Sequence, residues 1–523
     1  MNYAKTVSPK NAAQLEKALP NQVKNSAGGF VFAVDPWKQF ERFLIIGSQG
    51  GTYYVGESKL TKQNYDNIVA LIKQDSAKAL KLVHEISVAG RAISNDPAIF
   101  ALLLIFVHGN NKADAAKLFP SIVRTGTHLF TFASYVKELR GWGRSIRRAV
   151  SNWYNSKSRH NLELQLLKYK SRNDWTHRDV LRLNHVVPNQ DLSDLFAYAV
   201  KGEVSENMPM VRASQELYTK DIATERAIEL ITSQRLTHEM IPTELLAKPE
   251  IWRAILTSIP LQALLRNLGR LSANGVIKQV GNDDLVKNTL NRMTNAEEVK
   301  KSRIHPYQVL LAMLTYRQGR GDKGSLSWNV NQSLADKFEQ MYYLAFGNVE
   351  STGKSFYLAI DVSGSMSSAF IGKSRIISAA QGAGAMAMVT ARTEEDYLIK
   401  GFTHGLVDLG ITAKTNLADA MRAVYRSNFG STDCSMPVLD ALTQKLFVDC
   451  FVVYTDNETY AGRQHPYIVL EQYRKTINPN AKMIVVGMTS TGFTIASPND
   501  PLSLDVVGFD ANTPQLIAEF ARM

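Results

Sequence analysis

Apolar residues recur with a spacing near 3.6 over residues 65–341, the period of one face of an α-helix. Short loops containing Pro, Asn or Gly separate these stretches, for example Asn95-Asp96-Pro97. A succession of helices without strands is typical of an α-solenoid, although no clean repeat is visible in the sequence. The pattern leaves residues 2–25 and 326–338 unassigned. Helices are predicted at 67–72, 79–83, 98–107, 145–153, 162–169, 224–231 and 261–268.

After Gly353 the pattern changes to short apolar runs that alternate with helical periodicity. This alternation predicts a parallel, doubly wound α/β sheet. The change near residues 347–353 predicts a helical domain at 1–350 and an α/β domain at 351–523. Strands are predicted at 356–360, 397–402, 448–454, 483–487 and 505–508, and helices at 376–390, 417–425, 436–445, 467–476 and 514–522.

The composition is consistent with a cytosolic protein of at least two domains. A chain of 523 residues is too long for a single hydrophobic core. Its 2 cysteines, Cys434 and Cys450, cannot form a disulfide framework, and this usage fits a reducing compartment. The N-terminus lacks the apolar segment of a signal peptide, and the most apolar run, residues 99–107, is too short to span a bilayer. We therefore expect no membrane association.

The excess of basic over acidic residues is confined to the predicted helical domain. The net charge is +12, yet residues 351–523 contain 14 Lys and Arg against 16 Asp and Glu. Residues 137–182 contain 12 Lys and Arg against 4 Asp and Glu. Local clustering of this kind indicates a surface that binds a phosphate backbone. The competing interpretation, with about equal weight, is an ordinary solvated surface.

A candidate metal site follows the first predicted strand of the α/β domain. In the run Asp361-Val362-Ser363-Gly364-Ser365, one carboxylate and two hydroxyls stand at alternate positions. Asp456 follows the strand 448–454, and the carboxyl ends of neighbouring parallel strands meet at one edge of a sheet. Such hard oxygen donors suit Mg²⁺. The competing interpretation is a Ser/Gly turn that binds no metal.

The sequence contains no convincing catalytic motif. Thr352-Gly353-Lys354-Ser355 resembles the end of a phosphate-binding P-loop, but Asn348 replaces the first glycine and the segment leads into a strand. A Gly-x-Ser-x-Gly elbow is absent around Ser363, and the chain has neither His-Glu-x-x-His nor paired Cys-x-x-Cys. We therefore expect a binding protein that is not an enzyme.

Cations and aromatic residues alternate in residues 168–185, which begin Lys168-Tyr169-Lys170-Ser171-Arg172 and end at His185. Cations that bind phosphate and aromatic rings that stack on unpaired bases together favour single-stranded RNA. The competing interpretation is that Trp175 and Leu181 pack in the core while only the cationic face meets solvent. From charge alone, Arg140, Arg144 and Arg148 are further candidates.

The Asp-x-Ser-x-Ser run after a strand resembles the metal-ion-dependent adhesion site of von Willebrand A domains. The resemblance implies that the two serines and a threonine bind the ion, that the aspartates act through water, and that one position stays open for a partner's carboxylate. Two threonines compete for the third role: Thr415, in Lys414-Thr415-Asn416, and Thr432, in Gly430-Ser431-Thr432-Asp433-Cys434.

Longer motifs resemble the Ro autoantigen (TROVE-domain) family over residues 51–509. In that family the Gly-x-Thr-Asp-Cys motif supplies the metal-site threonine, which favours Thr432. The matching stretches are the basic segment 168–185, Gly51-Thr52-Tyr53-Tyr54, residues 127–132, Trp142-Gly143-Arg144, residues 263–269 and 303–307, residues 430–435, Thr455-Asp456-Asn457-Glu458-Thr459 and residues 487–490.

The resemblance implies a monomer whose HEAT-like repeats close into a ring that a von Willebrand A domain bridges. It implies that the central hole takes single-stranded 3′ ends of misfolded non-coding RNAs. It also implies that Y RNA, a small stem-loop RNA, binds the basic outer surface through Lys168, Arg172 and His185. Lys170 is a further candidate from charge alone.

We therefore expect a protein of non-coding RNA quality control. The alternative is a metal-dependent adaptor that recruits an exoribonuclease or another acidic partner to RNA. A cryptic metal-dependent RNase is the third and least favoured interpretation.

Overall fold

The computed structural model describes residues 12–48, 52, 55–139, 141–281, 283–322, 324–372, 374–426 and 430–523. Arg140 and three residues of the quoted stretch 51–54 therefore lie outside the described residues. None of the helices within these ranges is long and apolar enough to cross a membrane.

Residues 36–345 fold as a succession of helices, as the periodicity predicts. The runs at 98–107 and 145–153 lie inside helices whose apolar residues are buried, whereas Tyr169 stands just after its helix. The helices are α1 (Pro36–Ile46), α2 (Glu57–Gln74), α3 (Ser76–Ala89), α4 (Asp96–His108), α5 (Lys112–Ile122), α6 (Gly126–Leu139), α7 (Arg144–Asn155), α8 (Arg159–Lys168), α9 (His177–Asn184), α10 (Ser193–Lys201), α11 (Pro209–Glu216), α12 (Thr224–Gln234), α13 (Pro249–Leu256), α14 (Leu261–Ala273), α15 (Asp284–Thr294), α16 (Ala296–Ser302), α17 (Pro306–Arg317) and α18 (Gln332–Ala345), with 3₁₀ turns at Gln190–Leu192, His238–Met240 and Leu245–Ala247.

Two short strand pairs accompany the helices, although the sequence predicted neither. Strands β1 (Gln22–Lys24) and β2 (Phe30–Ala33) precede the first helix, and a hairpin of β3 (Ser171–Arg172) and β4 (Trp175–Thr176) lies inside the basic segment. Strands of two to four residues are too short to produce a recognisable alternation of apolar and polar residues.

Residues 356–522 form the α/β unit that the alternating pattern predicts. The sheet has the order β11-β9-β8-β5-β6-β7, and every pair is parallel except β6 with the short edge strand β7. Its elements are β5 (Phe356–Asp361), α19 (Gly364–Ser368), α20 (Ala379–Thr393), β6 (Tyr397–Phe402), β7 (Leu406–Val407), α21 (Leu417–Tyr425), α22 (Met436–Gln444), β8 (Cys450–Thr455), α23 (Pro466–Thr476), β9 (Lys482–Gly487), β10 (Phe493–Thr494), β11 (Ser503–Val507) and α24 (Thr513–Arg522).

The helical array closes on itself. Helices pack on near neighbours along the chain, for example α2 on α4, α4 on α6 and α5 on α7. The segment after α3 then meets the start of α17. The His305 ring Nε2 lies 3.0 Å from the carbonyl oxygen of Arg91, and the Gln308 side chain donates to the carbonyl of Ile93 at 3.2 Å. Early and late helices are therefore joined, and the array forms a ring.

The α/β unit contacts both ends of this ring. From α1, the fully buried Arg42 forms an ion pair with Asp505 of β11 at 2.5 Å. From α17, the Tyr307 hydroxyl donates to the carbonyl of Ile371 at 2.6 Å. Strand β2 also pairs with β10, so the residues before α1 form a small sheet with the α/β unit. The α/β unit therefore bridges the ring closure.

Candidate functional site

The Asp361 loop lies at the carboxyl end of β5. The fully buried Asp361 carboxylate accepts hydrogen bonds from the Ser363 N–H at 3.0 Å and from the Thr455 hydroxyl at 2.7 Å. The hydroxyls of Ser363 and Ser365 are 3.0 Å apart, and both serines are buried. Alternation along the loop therefore brings one carboxylate and two hydroxyls together.

The second carboxylate, Asp456, follows β8, the parallel neighbour of β5. One oxygen accepts the Glu458 N–H at 3.1 Å. The other oxygen, Oδ2, is buried and has no hydrogen-bond partner among the described residues. An unpaired buried carboxylate oxygen is costly unless something satisfies it.

Burial raises the pKa of Asp361 to about 7, and the negative charge of Asp456 adds to the shift. Burial also raises the pKa of Asp456, which a hydrogen bond from Ser365 opposes. Two carboxylates held together away from water are unfavourable when both are ionised, and a cation between them would remove that cost. The oxygen donors and the unpaired Asp456 oxygen therefore fit a hard divalent cation. Within the described ranges, no group of three or more His, Cys, Asp or Glu could hold a metal ion, so such a site depends on its hydroxyl donors.

The structure separates the two candidate threonines. The carbonyl of Thr432 accepts the N–H groups of Tyr460 and Ala461, both at 3.0 Å, so Thr432 lies beside the Asp456 loop. Thr415 lies near the start of β6, where the N–H of Ala413 donates to the Tyr397 hydroxyl at 2.8 Å. A strand of six residues is roughly 17 Å long, and this length separates the amino ends of the strands from their carboxyl ends. Of the two, only Thr432 is near the carboxylates.

The N-terminal segment also reaches this edge of the sheet, which sequence patterns did not indicate. The buried Gln14 side chain donates to Asp433 at 2.7 Å and accepts from the Thr459 hydroxyl at 2.6 Å. The Ala27 N–H donates to Glu458 at 2.9 Å. Burial and the charge of Asp456 raise the pKa of Glu458 to about 8. Chain segments more than four hundred residues apart thus meet around the candidate metal site.

The segment that resembles a P-loop does not offer an open anion site. The N–H groups of Thr352 and Gly353 already donate to the carboxylate of Glu394, at 3.0 and 3.3 Å. This intramolecular acceptor occupies the backbone donors that a phosphate would need.

The basic segment folds as the end of α8, the β3–β4 hairpin and α9. At the hairpin tip, Asn173 and Asp174 have φ values of 49° and 61°, a conformation that Asn and Asp tolerate better than most residues. Thr176 then caps α9 in a capping box with Asp179. The segment therefore has a defined backbone at both ends of the hairpin.

The sequence-predicted RNA residues follow one another along this segment. Lys168 is half-buried at the end of α8, with its ammonium 3.9 Å from a carboxylate oxygen of Glu239. Lys170 and Arg172 are exposed, and the exposed His185 caps the C-terminus of α9. Leu181 is buried and Trp175 is half-buried, so the segment combines core packing with an exposed cationic surface.

Helix α7 adds further cations. Its apolar face, which includes Trp153, is buried, whereas Arg144, Arg147 and Arg148 are exposed on the other side. In the part of the chain that the structure describes, none of these three arginines forms a salt bridge. Helix α7 packs against α9, so these exposed arginines lie on a helix next to the basic segment.

A second cationic feature joins residues that no sequence pattern connects. Burial lowers the pKa of Arg124, after α5, and the nearby charge of Arg303, after α16, lowers it further. The Arg124 guanidinium also donates to the carbonyls of Ser87 and Ser121, at 3.1 and 3.2 Å, whereas Arg303 is exposed. Two guanidinium groups that repel each other across the ring closure offer a place for an anion. Sequence alone could not find this pair because only the closure of the ring brings its members together.

Comparisons with known proteins agree with this architecture. The chain matches the TROVE domain family over residues 23–233 and 223–354, and the Ro60 vWA domain family over residues 355–521. It is 38% identical to "RNA-binding protein RO60" of Deinococcus radiodurans, over 100% of this chain and 99% of that protein. It is 32% identical to the protein of the same name from Caenorhabditis elegans, over 97% of this chain and 91% of that protein.

The crystal structure of the Deinococcus radiodurans Ro (RSR) protein is similar as well. It shares 37% sequence identity with this chain and superposes with a TM-score of 0.69, covering 93% of this chain and 99% of that one. The family resemblance and the fold class expected from the sequence are therefore confirmed. The chain belongs to the Ro family, in which a TROVE domain is followed by a von Willebrand A domain.

Proposed function

We propose that this protein binds structured non-coding RNA at two places and acts in RNA quality control. A stem-loop RNA of the Y RNA type binds the outer surface around Lys168, Arg172 and His185, with Lys170, Arg144 and Arg148 at its border. A single-stranded 3′ end of a misfolded RNA enters the opening of the ring. Relatives named as RNA-binding proteins support the general activity.

The observation that carries the proposal is the set of exposed cations on α7 and the basic segment. Arg144, Arg148 and Arg172 have no salt-bridge partner in the described ranges. Exposed cations without protein partners are free to neutralise phosphates and release counterions. The hairpin fixes the backbone at Arg172, so less conformational entropy is lost on binding.

Binding of 3′ ends is supported by the closed array and by Arg124 and Arg303. In this proposal the opening of the ring admits a single strand and excludes a duplex. The charge of Arg303 lowers the pKa of Arg124, and a phosphate placed between the two guanidinium groups would relieve this repulsion.

The test is fluorescence-anisotropy binding of a stem with a single-stranded 3′ tail and of the same stem with a blunt end, across a salt series. We expect the tailed RNA to bind more tightly, and Arg124→Ala with Arg303→Ala to reduce this preference. Each lost phosphate contact should lower the slope of log K against log salt by about 1. Equal affinity for both RNAs would contradict binding of ends.

A Y-like stem-loop tests the outer surface. Combined replacement of Lys168, Arg172 and His185 by Ala should weaken its binding while the preference for a tail remains. A matched control replaces Lys81 and Lys201, exposed lysines in weak surface pairs, and should change little. If both sets of replacements weaken binding equally, the protein is a general polycation without a specific surface.

The von Willebrand A unit supports a second activity, recruitment of an acidic protein partner such as an exoribonuclease. In this proposal Ser363, Ser365 and Thr432 hold Mg²⁺ directly, and Asp361 and Asp456 act through water. The ion would supply an electrophilic position for a partner's carboxylate. Capture of an acidic partner should require Mg²⁺ and be lost in Asp361→Ala, with RNA affinity unchanged. Capture that survives both Asp361→Ala and EDTA would exclude this activity.

A further inference from the structure

Residues 12–34, called the N-terminal clasp below, pack on the two loops that carry distant candidate ligands of the metal site. The Thr432 loop comprises residues 430–435, and the Asp456 loop comprises residues 456–462. The clasp contains the β1–β2 hairpin, and its strand β2 pairs with β10 of the α/β unit. The clasp therefore lies beside the candidate metal site, although the whole helical ring separates the two in sequence.

The Gln14 side chain joins the two loops. Its amide nitrogen donates to the Asp433 carboxylate at 2.7 Å, and its amide oxygen accepts from the Thr459 hydroxyl at 2.6 Å. The backbone N–H of Gln14 donates to the carbonyl of Gly462 at 3.0 Å. Gln14 is fully buried, so loss of its side chain would leave polar groups unsatisfied away from water. Gln14 therefore holds the two loops at a fixed separation.

Asn25 holds the backbone that directly follows Asp456. Its side chain donates to the carbonyls of Asn457 and Thr459, at 3.2 and 2.8 Å. Asn457 has a φ of 65°, a left-handed conformation that costs free energy in any residue other than glycine. Such a conformation persists where the surrounding structure holds it. The bond from Asn25 contributes to this, and it thereby fixes the direction in which the chain leaves Asp456.

The clasp approaches the Asp456 loop so closely that only glycine fits at position 29. A methyl group added to Gly29 would overlap the carbonyl oxygen of Thr459. This oxygen accepts the hydrogen bond from Asn25, so it cannot move aside without loss of that bond. Gly29 does not have a positive φ, so alanine would meet this contact without backbone strain. Gly29→Ala therefore separates the two segments without changing a polar side chain.

The clasp contacts the Asp456 loop but leaves the second carboxylate available. The Ala27 N–H donates to one oxygen of Glu458 at 2.9 Å, and Asn25 binds backbone carbonyls of the loop. Asp456 Oδ2, in contrast, is buried without a hydrogen-bond partner in the described part of the chain. The clasp therefore orders the loop and does not compete for the oxygen that a cation would satisfy.

We propose that the N-terminal clasp is a positioning element of the metal site, in which Gln14, Asn25 and Gly29 fix the Asp456 loop against the Thr432 loop and so raise the affinity for a divalent cation. The proposal rests on the proposed metal site. Since docking of the clasp and binding of the ion are linked, each favours the other by the same factor. The metal site then depends on a segment outside the α/β domain, the one that leads into α1 of the ring.

The first test measures binding of Mn²⁺ to the full-length chain, from the EPR signal of the free ion, and its displacement by Mg²⁺. Gln14→Met, Asn25→Ala and Gly29→Ala should each raise the Kd of both ions about 10-fold, the lower end for groups that orient metal ligands. Leu15→Ala, at the exposed neighbour of Gln14, is the matched control for the polar variants. Gly405→Ala, where an added methyl group meets no other atom, is the control for Gly29→Ala. Both controls should bind as wild type does.

The second test uses the linkage in the wild-type chain and needs no variant to fold. Lys17 and Lys24 are exposed on the clasp, and trypsin cleaves there when the clasp detaches. Saturating Mg²⁺ should slow this cleavage about 10-fold, the factor by which the clasp raises the affinity for the ion. In Gly29→Ala, whose clasp cannot dock, Mg²⁺ should have little effect on cleavage.

The outcomes separate the clasp from the metal site itself, once thermal melting in EDTA has shown which variants are folded. If the wild type binds no Mn²⁺, the proposed metal site is wrong, and the positioning role is excluded with it. If the wild type binds Mn²⁺ but the variants match their controls, or Mg²⁺ does not slow cleavage, the metal site stands and the positioning role is excluded. Tighter binding by the variants would mean that the clasp blocks the site, which also overturns the proposal. Weaker binding by the variants, with slower cleavage of the wild type in Mg²⁺, supports it.

Discussion

Replacement of Asp361 by Asn should stabilise the metal-free protein and make it insensitive to Mg²⁺. The Asp361 carboxylate is fully buried and close to the second carboxylate, Asp456, so its ionisation is unfavourable in the folded protein. An amide keeps the shape of the side chain and one acceptor for the Ser363 N–H, but it carries no charge. The Thr455 hydroxyl, which now donates to Asp361, can rotate to accept from the amide.

The expected size follows from the pKa of Asp361, which rises from 3.8 to about 7. At 1.36 kcal/mol per unit, this shift costs the metal-free protein at most about 4 kcal/mol when the group is ionised. The folded protein retains a proton that the unfolded chain releases between about pH 4 and pH 7. The free energy of unfolding therefore falls as the pH rises through this range and levels off above it. The stabilisation by Asp361→Asn should be greatest at pH 8 and absent near pH 4.

Thermal or urea denaturation of wild type and Asp361→Asn, in EDTA and in Mg²⁺ at pH 5 and pH 8, measures both effects. Wild type should gain stability from Mg²⁺ mainly at pH 8, by about 2.7 kcal/mol when the ion is at 100 times its Kd. Asp419→Asn, at an exposed carboxylate, is the control and should change little. A lower stability of Asp361→Asn than of wild type in EDTA at pH 8 would show that the buried charge of Asp361 does not destabilise the metal-free protein. If Mg²⁺ stabilises neither protein, the metal site itself is excluded.

Two further predictions test how the sheet edge and the ring are assembled. Thr432→Ala should reduce the stabilisation by Mg²⁺ and Thr415→Ala should not, because only Thr432 lies near the carboxylates. Equal effects of the two replacements in the same denaturation assay would contradict this assignment. Arg42→Met should cost about 3–5 kcal/mol in urea denaturation, because it leaves Asp505 without its cation at the buried contact with the ring. Arg422→Met, which removes an exposed ion pair, should lower the free energy of unfolding by at most about 1 kcal/mol. A similar loss at both positions would mean that Arg42 does not hold the ring and the α/β unit together.

Local pattern was sufficient to predict most elements of this protein. Helix α4 and strands β5 and β8 were predicted from runs of apolar residues. Such runs occur where a helix or a strand is buried on all sides. The Asp361 loop was recognisable for the same kind of reason, since its donors are neighbours in sequence. The basic segment was visible as a local excess of charge.

Short-range pattern failed where a backbone turn interrupts a polar segment. The hairpin β3–β4 lies in a region where the periodicity predicts helices, and its turn depends on the positive φ of Asn173 and Asp174. As a consequence, the pairing of Arg172 with Trp175 could not be foreseen from composition.

The order of the main helices and strands, the two kinds of domain and the residue types available for binding therefore follow from the amino-acid sequence alone. Which distant residues act together is visible only in the folded chain: Asp456 and Thr432 beside Asp361, Gln14 against the loop that follows Asp456, and Arg303 within electrostatic reach of Arg124. Hydrophobic periodicity shows which face of a segment is buried, but it does not show which other segment covers that face. That choice depends on the closure of the ring and on the register of the sheet.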